Sequence, residues 1–221
     1  MQYVSFSGGC DSTALAIYLK DKGEEFELVF ADTGAELPET YWIIPRVVRA
    51  LGVKLNVVSG PTFFQQVAAF GYLLPSMQVR WCTRELKLKP LEAFPDLLLG
   101  ICADEAHRMP NKPRPLVDAG ITKAEARKLV EAADLLNPCY KWRSSCSCFC
   151  CPFQRVRDWR GLWTNHPDLY RAAEQWEEES CANSPSKHTW MRGYGLRDLR
   201  EADQVDMFPE CKERACVICE A

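Results

Sequence analysis

The sequence contains no run of about 18 or more apolar residues, so no segment in it is built as a membrane-spanning helix. It lacks a charged n-region followed by an apolar h-region. The first residues read as a strand, and the expectation is a cytoplasmic protein without a signal peptide. Positive charge is not in excess: 27 lysines and arginines stand against 30 carboxylates, a formal charge of −3. A global attraction to nucleic acid is therefore excluded, and only a local basic patch would hold one. Histidine is scarce, and His107, His166 and His188 stand in no ligand or nucleophile pattern, so they read as surface or core residues. No internal repeat and no low-complexity stretch occurs. What remains, 47% apolar and 26% charged, is an ordinary globular composition with enough chain for a sizeable core.

Cysteine is the exception, with twelve. In a reducing compartment disulfides are not favoured, so clustered cysteines point to metal or redox chemistry. Cys10, Cys82, Cys102 and Cys181 stand alone; Cys139, Cys146, Cys148, Cys150 and Cys151 crowd together; Cys211, Cys216 and Cys219 form a second group.

The most specific motif is Ser7-Gly8-Gly9-Cys10-Asp11-Ser12, directly behind the apolar run Tyr3–Phe6. A strand that ends in Ser-Gly-Gly and opens into a helix holds phosphate: glycines let the backbone approach an anion, and the first helical N–H groups point at it unpaired. A Walker loop is excluded, because the Gly-Lys-Ser/Thr ending is missing. Asp11 reads either as a cap for the turn or as a carboxylate for Mg²⁺.

The first hundred residues alternate strand and helix signals. Strands are expected at Tyr3–Phe6, Phe26–Ala31, Val53–Val58 and Leu97–Ile101. Helices are expected at Ser12–Lys22, from Pro38 to about Leu51, at Thr62–Phe70 and at Thr83–Lys89. The alternation predicts an α/β fold, a doubly wound and mostly parallel sheet. Ligands of such sheets bind beyond the carboxyl ends of the strands, which is where Ser7–Ser12, Asp32–Glu36 and Asp104–Arg108 fall. Thr122-Lys123-Ala124-Glu125 is a capping box opening a helix to about Ala133. Helices are also expected at Arg155–Thr164 and Asp168–Glu179, separated by Asn165-His166-Pro167. The expected organisation is a nucleotide-binding domain over 1–136 and a helical, Cys-rich extension over 137–221 packed on it.

Ser7–Ser12 matches the Ser-Gly-Gly-x-Asp-Ser signature of the PP-loop ATP pyrophosphatases. The segment Asp32-Thr33-Gly34 through Pro38-Glu39-Thr40, the segment Arg80-Trp81-Cys82-Thr83 through Lys87 and Pro90, and the loop from Gly100 through Glu105 to Arg108 resemble, in order, motifs of the phosphoadenosine phosphosulfate (PAPS) reductase family. With Asn137-Pro138-Cys139-Tyr140 the resemblance reaches about residue 150. It implies an adenine nucleotide alpha hydrolase-like fold that binds ATP, or adenylylsulfate or PAPS, with Mg²⁺. The residues it points to are Ser7, Gly8, Gly9, Cys10, Asp11, Ser12, Asp32, Thr33, Gly34, Glu36, Arg80, Glu105 and Arg108, with Asp11, Lys87 and Arg108 in catalytic roles. Cys10 stands where related loops often carry Lys, so a cationic phosphate contact is expected from Lys87 or Arg108.

Cys148 and Cys151 form a Cys-x-x-Cys before Pro152, a spacing at which two thiolates share one Zn²⁺ or one iron–sulfur cluster. Cys139 or Cys146, with Cys82 at its family position, completes four ligands, and the set Cys82, Cys139, Cys148 and Cys151 is expected to hold a [4Fe–4S] cluster, with structural zinc as the alternative. Cys150 reads as spare. The family's reductases carry a C-terminal Glu-Cys-Gly-Leu-His segment, of which Glu210-Cys211 keeps only the first two residues. The intact Ser-Gly-Gly loop favours ATP and adenylation of a nucleobase in RNA or DNA, or of a metabolite, served by a thiol or sulfur-donor protein. Reduction of a sulfonucleotide through Cys211, or a non-catalytic subunit of a modification complex, stand as alternatives. Lys141, Arg143, Arg155, Arg157 and Arg160 interleave with Tyr140, Trp142, Phe149, Phe153, Trp159 and Trp163. That pattern reads either as a surface for single-stranded nucleic acid or as packed helices with a solvated basic face.

Overall fold

The computed structural model describes residues 1–184, 188–191 and 193–205. Four parallel strands, β1 (Gln2–Ser5), β2 (Phe26–Asp32), β3 (Leu55–Ser59) and β4 (Leu98–Leu99), form one sheet in the order β3-β2-β1-β4. β1 lies in the middle with both edges paired, Val4 opposite Leu28 and Leu98. The order reverses between β1 and β4, and such a switch point opens a crevice at the strand ends.

α1 (Cys10–Asp21) and α2 (Pro38–Leu51) cover one face. Val4, Leu28 and Phe30 pack there with Leu15, Leu19, Ile43 and Val47 in one buried cluster. Side chains alternate along a strand, so Val29 and Ala31 turn to the opposite face. There a continuous helix, α4, runs through Trp81–Thr83, Arg84–Leu88 and Lys89–Leu91 and contacts β2 and β3. Its middle segment is a π-turn. Pro90, with no N–H, cannot bond back to Leu86, and the ladder widens just before it. Helices on both faces make the sheet doubly wound, as the alternation predicts.

The observed bounds differ from expectation in ways that matter for the site. α1 starts two residues earlier than its pattern suggests, so Cys10 and Asp11 belong to its first turn. The strand expected at Leu97–Ile101 shrinks to two residues, because Gly100 closes it against α1. After α3 (Phe63–Ala69) and the return through β4 come α5 (Pro115–Asp118) and α6 (Lys123–Ala132), the latter opened by the expected Thr122 capping box. α6 packs along α1.

The C-terminal part holds α7 (Val156–Asn165), α8 (Pro167–Asn183) and α9 (Leu196–Val205). Only His166 separates α7 from α8. Trp159, Leu162, Tyr170, Ala173 and Leu196 share a second buried cluster with Leu37, Phe63, Val67, Trp81 and Leu86. Among the described residues no helix is long and apolar enough to cross a membrane.

A polar clip also joins the two parts. Glu39, in the first turn of α2, accepts from Trp142 Nε1 at 3.1 Å and lies 2.8 Å from His166 Nε2. Burial raises the Glu39 carboxyl, but bonds from His166, its own backbone and Trp142 outweigh this and hold it below the usual range. A carboxyl depressed in the folded state stabilises above its unfolded value, and that contribution is lost as pH falls through the folded one. Glu39→Gln is therefore expected to flatten the acid limb of stability below about pH 4.5. Thermal midpoints across an acid series check this, and parallel curves for the two proteins would refute it.

Candidate functional site

The Ser-Gly-Gly turn is held in shape by its own bonds. Gly8 has a φ of +68°, open to glycine, and a Cβ there would press on Thr40 Cγ2 at 3.2 Å. Gly9 is the extended N-cap of α1 and has no side chain to cap it. The Gly9 carbonyl accepts from Ser12 Oγ at 3.1 Å, Thr13 Oγ1 at 2.9 Å and Thr13 N at 3.0 Å. Ser12 Oγ also accepts from Ser7 N and lies 3.2 Å from Ser7 Oγ. Ser12 is thus a buried brace of the loop, while the helix end itself carries the partial positive charge that suits an anion.

The end of β4 fits against this turn closely. A Cβ on Gly100 would lie 2.8 Å from Asp11 C, Asp11 O and Ser12 Cα, all backbone atoms. Beyond it, Asp11, Cys102, Glu105, Arg108 and Lys123 gather. Arg108 Nη1 bonds Glu105 Oε2 at 2.6 Å, Lys123 Nζ bonds Glu105 Oε1 at 2.7 Å, and Asp104 Oδ1 accepts from Lys123 N. Asp11 caps nothing. Burial raises its carboxyl above the usual range, Lys123 opposes that and Glu105 adds to it. Burial and then Asp11 push the thiols of Cys10 and Cys102 up, to about 11 and about 12. Lys123 is the cation that the sequence reading missed, because its position reads there as the first residue of a capping-box helix.

The third strand end divides its two acids. Asp32 Oδ1 accepts from Gly34 N at 2.9 Å and Tyr41 OH at 2.7 Å, so it closes its own turn. Glu36 is buried, accepts from Thr33 Oγ1 at 3.0 Å and faces Lys87 Nζ at 3.7 Å and Cys148 Sγ at 3.3 Å. Asp32 and Glu36 therefore serve different surroundings.

Lys87 opens the second half of the site, a cavity of about 180 Å³ lined by Cys82, Cys148, Cys150 and Cys151 together with Thr33, Arg80 and Lys87. α4 contributes Cys82 and Lys87. The loop after residue 146 contributes the other thiols, tied to the sheet end by Phe149 N donating to Ala35 O at 2.9 Å. Arg80 lies over the Phe153 ring at 5.0 Å. Cys148 is pushed up to about 12 by burial and then by Glu36. Cys148 and then Glu36, working against burial, hold Lys87 above its usual range. Of the four cysteines expected as ligands, Cys82, Cys148 and Cys151 line this cavity, and Cys150, expected to be spare, lines it with them. Cys139 is elsewhere, fully buried and hydrogen-bonded to Cys146. Among the described residues no group of three or more His, Cys, Asp or Glu side chains converges on one metal position. Cys211, Cys216 and Cys219 lie outside the described residues.

The loop from Asn137 to Cys151 joins the two halves. Asn137 Nδ2 donates to Gly8 O at 3.1 Å, Tyr140 OH accepts from Cys10 N at 3.1 Å, and Cys146 Sγ lies 3.3 Å from Thr40 Oγ1. Tyr140 and Cys146 were not expected to touch the Ser-Gly-Gly turn; their sequence separation from it leaves no local signal. The basic and aromatic stretch beside them turns inward: Arg143, Phe149 and Trp159 are buried, whereas Lys141, Phe153, Arg155 and Arg157 are exposed. His166, read as an unremarkable histidine, is the clip to Glu39.

The phosphoadenosine phosphosulfate reductase domain model matches residues 2–143. An uncharacterized protein of Methanocaldococcus jannaschii is 39% identical over 92 residues, 41% of this chain and 19% of that protein. A second from the same organism is 30% identical over 90 residues. An uncharacterized nin region protein of Escherichia phage lambda is 30% identical over 149 residues, 50% of this chain and 51% of that protein. The chain thus spans from about a fifth to half the length of these relatives. A solved phosphoadenylyl-sulfate (PAPS) reductase from Candida auris, in a phosphate complex, is 15% identical with a TM-score of 0.48, covering 66% of this chain and 80% of that one.

Proposed function

Because the chain belongs to the phosphoadenosine phosphosulfate reductase domain family, we propose that it binds an adenine nucleotide, ATP by preference, with the phosphates at the N-terminus of α1. One observation carries this reading. Gly100, just past β4, packs so closely on the first turn of α1 that a Cβ there would stand 2.8 Å from backbone atoms of Asp11 and Ser12, and Arg108 and Lys123 act on Asp11 in that turn. A preformed turn needs little reorganisation when an anion arrives.

The reaction proposed is adenylation. An oxygen of the acceptor attacks the α-phosphorus, the bond from that phosphorus to the bridging oxygen breaks, and pyrophosphate leaves with the electron pair. The helix amides stabilise the charge that builds on the leaving group, and Lys123 and Arg108 neutralise it at longer range. Mg²⁺ bound with the nucleotide beside Asp11 would add charge neutralisation to the same group. The adenylated carbon then accepts sulfur or another nucleophile as AMP leaves. The acceptor class is a nucleobase in RNA or DNA, or a small metabolite.

In this reading the thiol cavity is the place of a thiolate-held metal centre. Its donors are soft, they come from two elements, and Lys87 and Arg80 offset their negative charge. Four thiols line one volume without converging on a single metal position among the described residues, and the reading assigns that volume to a polynuclear iron–sulfur cluster, with zinc as the alternative. Cys82, Cys148, Cys150 and Cys151 supply its ligands in this reading, and the centre would supply a place to hold sulfide or pass electrons.

The expected result is release of AMP and pyrophosphate from ATP once the acceptor is present, retained in Cys211→Ser. No ATP turnover with any acceptor would leave a nucleotide-binding accessory subunit. The family's description favours a second reading, reduction of adenylylsulfate or PAPS by a thiol. Sulfite formation with thioredoxin that disappears in Cys211→Ser would establish that reading instead.

A further inference from the structure

The segment 137–151 touches both halves of the site and is stiff between them. At one end Asn137 Nδ2 holds Gly8 O and Tyr140 OH occupies the first amide of α1, that of Cys10. At the other end Phe149 N is bonded to Ala35 O and Cys148 Sγ meets Glu36. Between them Arg143, only 4% exposed, ties its two guanidinium ends to Ser147 O, Ser147 Oγ and Cys148 O at 2.8–3.2 Å. Ser144 is anchored in turn, through its N and Oγ, on the buried carboxylate of Asp158 at 2.8 Å. A displacement at Tyr140 therefore reaches Cys148 through a fork of charge-assisted bonds rather than through a slack loop.

The Cys10 amide is among the donors that a phosphate at the end of α1 would use, since the first N–H groups of a helix are its free ones. A phosphate oxygen and the Tyr140 hydroxyl both need that N–H, and a Cβ built on Gly9 would already stand 3.6 Å from the hydroxyl and 3.5 Å from Cys146 Cβ. We propose that Tyr140 is a positioning residue that couples the two halves: its hydroxyl holds the first amide of α1, an anion competes for that amide and displaces it, and the Arg143 fork carries the shift to the thiol cavity. This rests on the nucleotide reading above and adds a consequence to it. Occupancy of the phosphate site reports to Cys148 and its neighbours before any chemistry occurs.

The test compares wild type with Tyr140→Phe, which keeps the ring, in titrations with Mg-ATP and with inorganic pyrophosphate. Hydrogen–deuterium exchange is followed in peptides covering residues 144–155, with peptides around Cys181 as the control. In wild type, ligand should change exchange in 144–155 and not around Cys181. Removing the competing hydroxyl should tighten binding about fivefold, the scale of one modest hydrogen bond, and should shrink the ligand-dependent change in exchange. Weaker binding in Tyr140→Phe would make Tyr140 a direct ligand and overturn the proposal. Equal affinity, or exchange in 144–155 that ignores ligand in wild type, would overturn it as well. If neither ligand binds wild type, the nucleotide reading itself fails, and that outcome is distinct from the others.

Discussion

Gly100→Val is expected to abolish nucleotide binding and to lower stability by about 3 kcal/mol, the upper part of the range for forcing bulk into a packed site. Even a Cβ would stand 2.8 Å from three backbone atoms of Asp11 and Ser12. Backbone cannot swing aside as a flexible side chain would, so the end of β4 must move away from the first turn of α1. That movement carries Cys102, Glu105 and Arg108 out of place together. For a chain of this length the thermal midpoint should fall by roughly 6–12 °C. Gly60→Ala is the control: its Cβ would meet nothing nearer than 3.8 Å. Binding of ATP, measured by calorimetry beside the two melting curves, checks the prediction. A Gly100→Val protein that binds ATP normally would place the phosphate site elsewhere.

Replacing any one of Cys82, Cys148 or Cys151 by Ser should remove most of the metal from protein purified without oxygen. Cys139→Ser should keep it. The four were one expected set, but the first three line the cavity and Cys139 lies away from it, against Cys146. A [4Fe–4S] centre predicts brown protein with about four irons and matching sulfide per chain. Cys150→Ser separates the two ligand sets: loss of metal there makes Cys150 the fourth ligand, in place of Cys139. Zinc without sulfide, lost in the same three variants, would keep the site and change its metal. Metal content unchanged in all three would remove the site altogether.

Much of this molecule was legible from residue order alone. Among the described residues, period and punctuation located all four strands to within two residues at each end, and helix signals such as Pro38, Gly52 and the Thr122 cap are local too. The Ser-Gly-Gly turn was legible for the same reason, as a strand, a turn and a helix contiguous in sequence. Distance along the chain hid the rest. Tyr140 meets Cys10 across 130 residues, and Cys148 meets Glu36 across 112. Neither contact leaves a local pattern, since hydroxyls and thiols are compatible with many environments. Lys123 was concealed by a second role, because a lysine opening a helix needs no further explanation.

The order of apolar runs, glycines and caps determined by itself that the chain makes a parallel α/β sheet with a Ser-Gly-Gly turn behind its first strand. Those choices are set by backbone sterics and by burial of one face, which act over a few residues. Only the tertiary structure decided which side chains share a space. It separated Asp32 from Glu36, turned Arg143 and Trp159 inward, and gathered Cys82 and Cys150 with Cys148 and Cys151. Such choices depend on how helices dock across the sheet, where packing between residues far apart in sequence outweighs any preference a single residue carries.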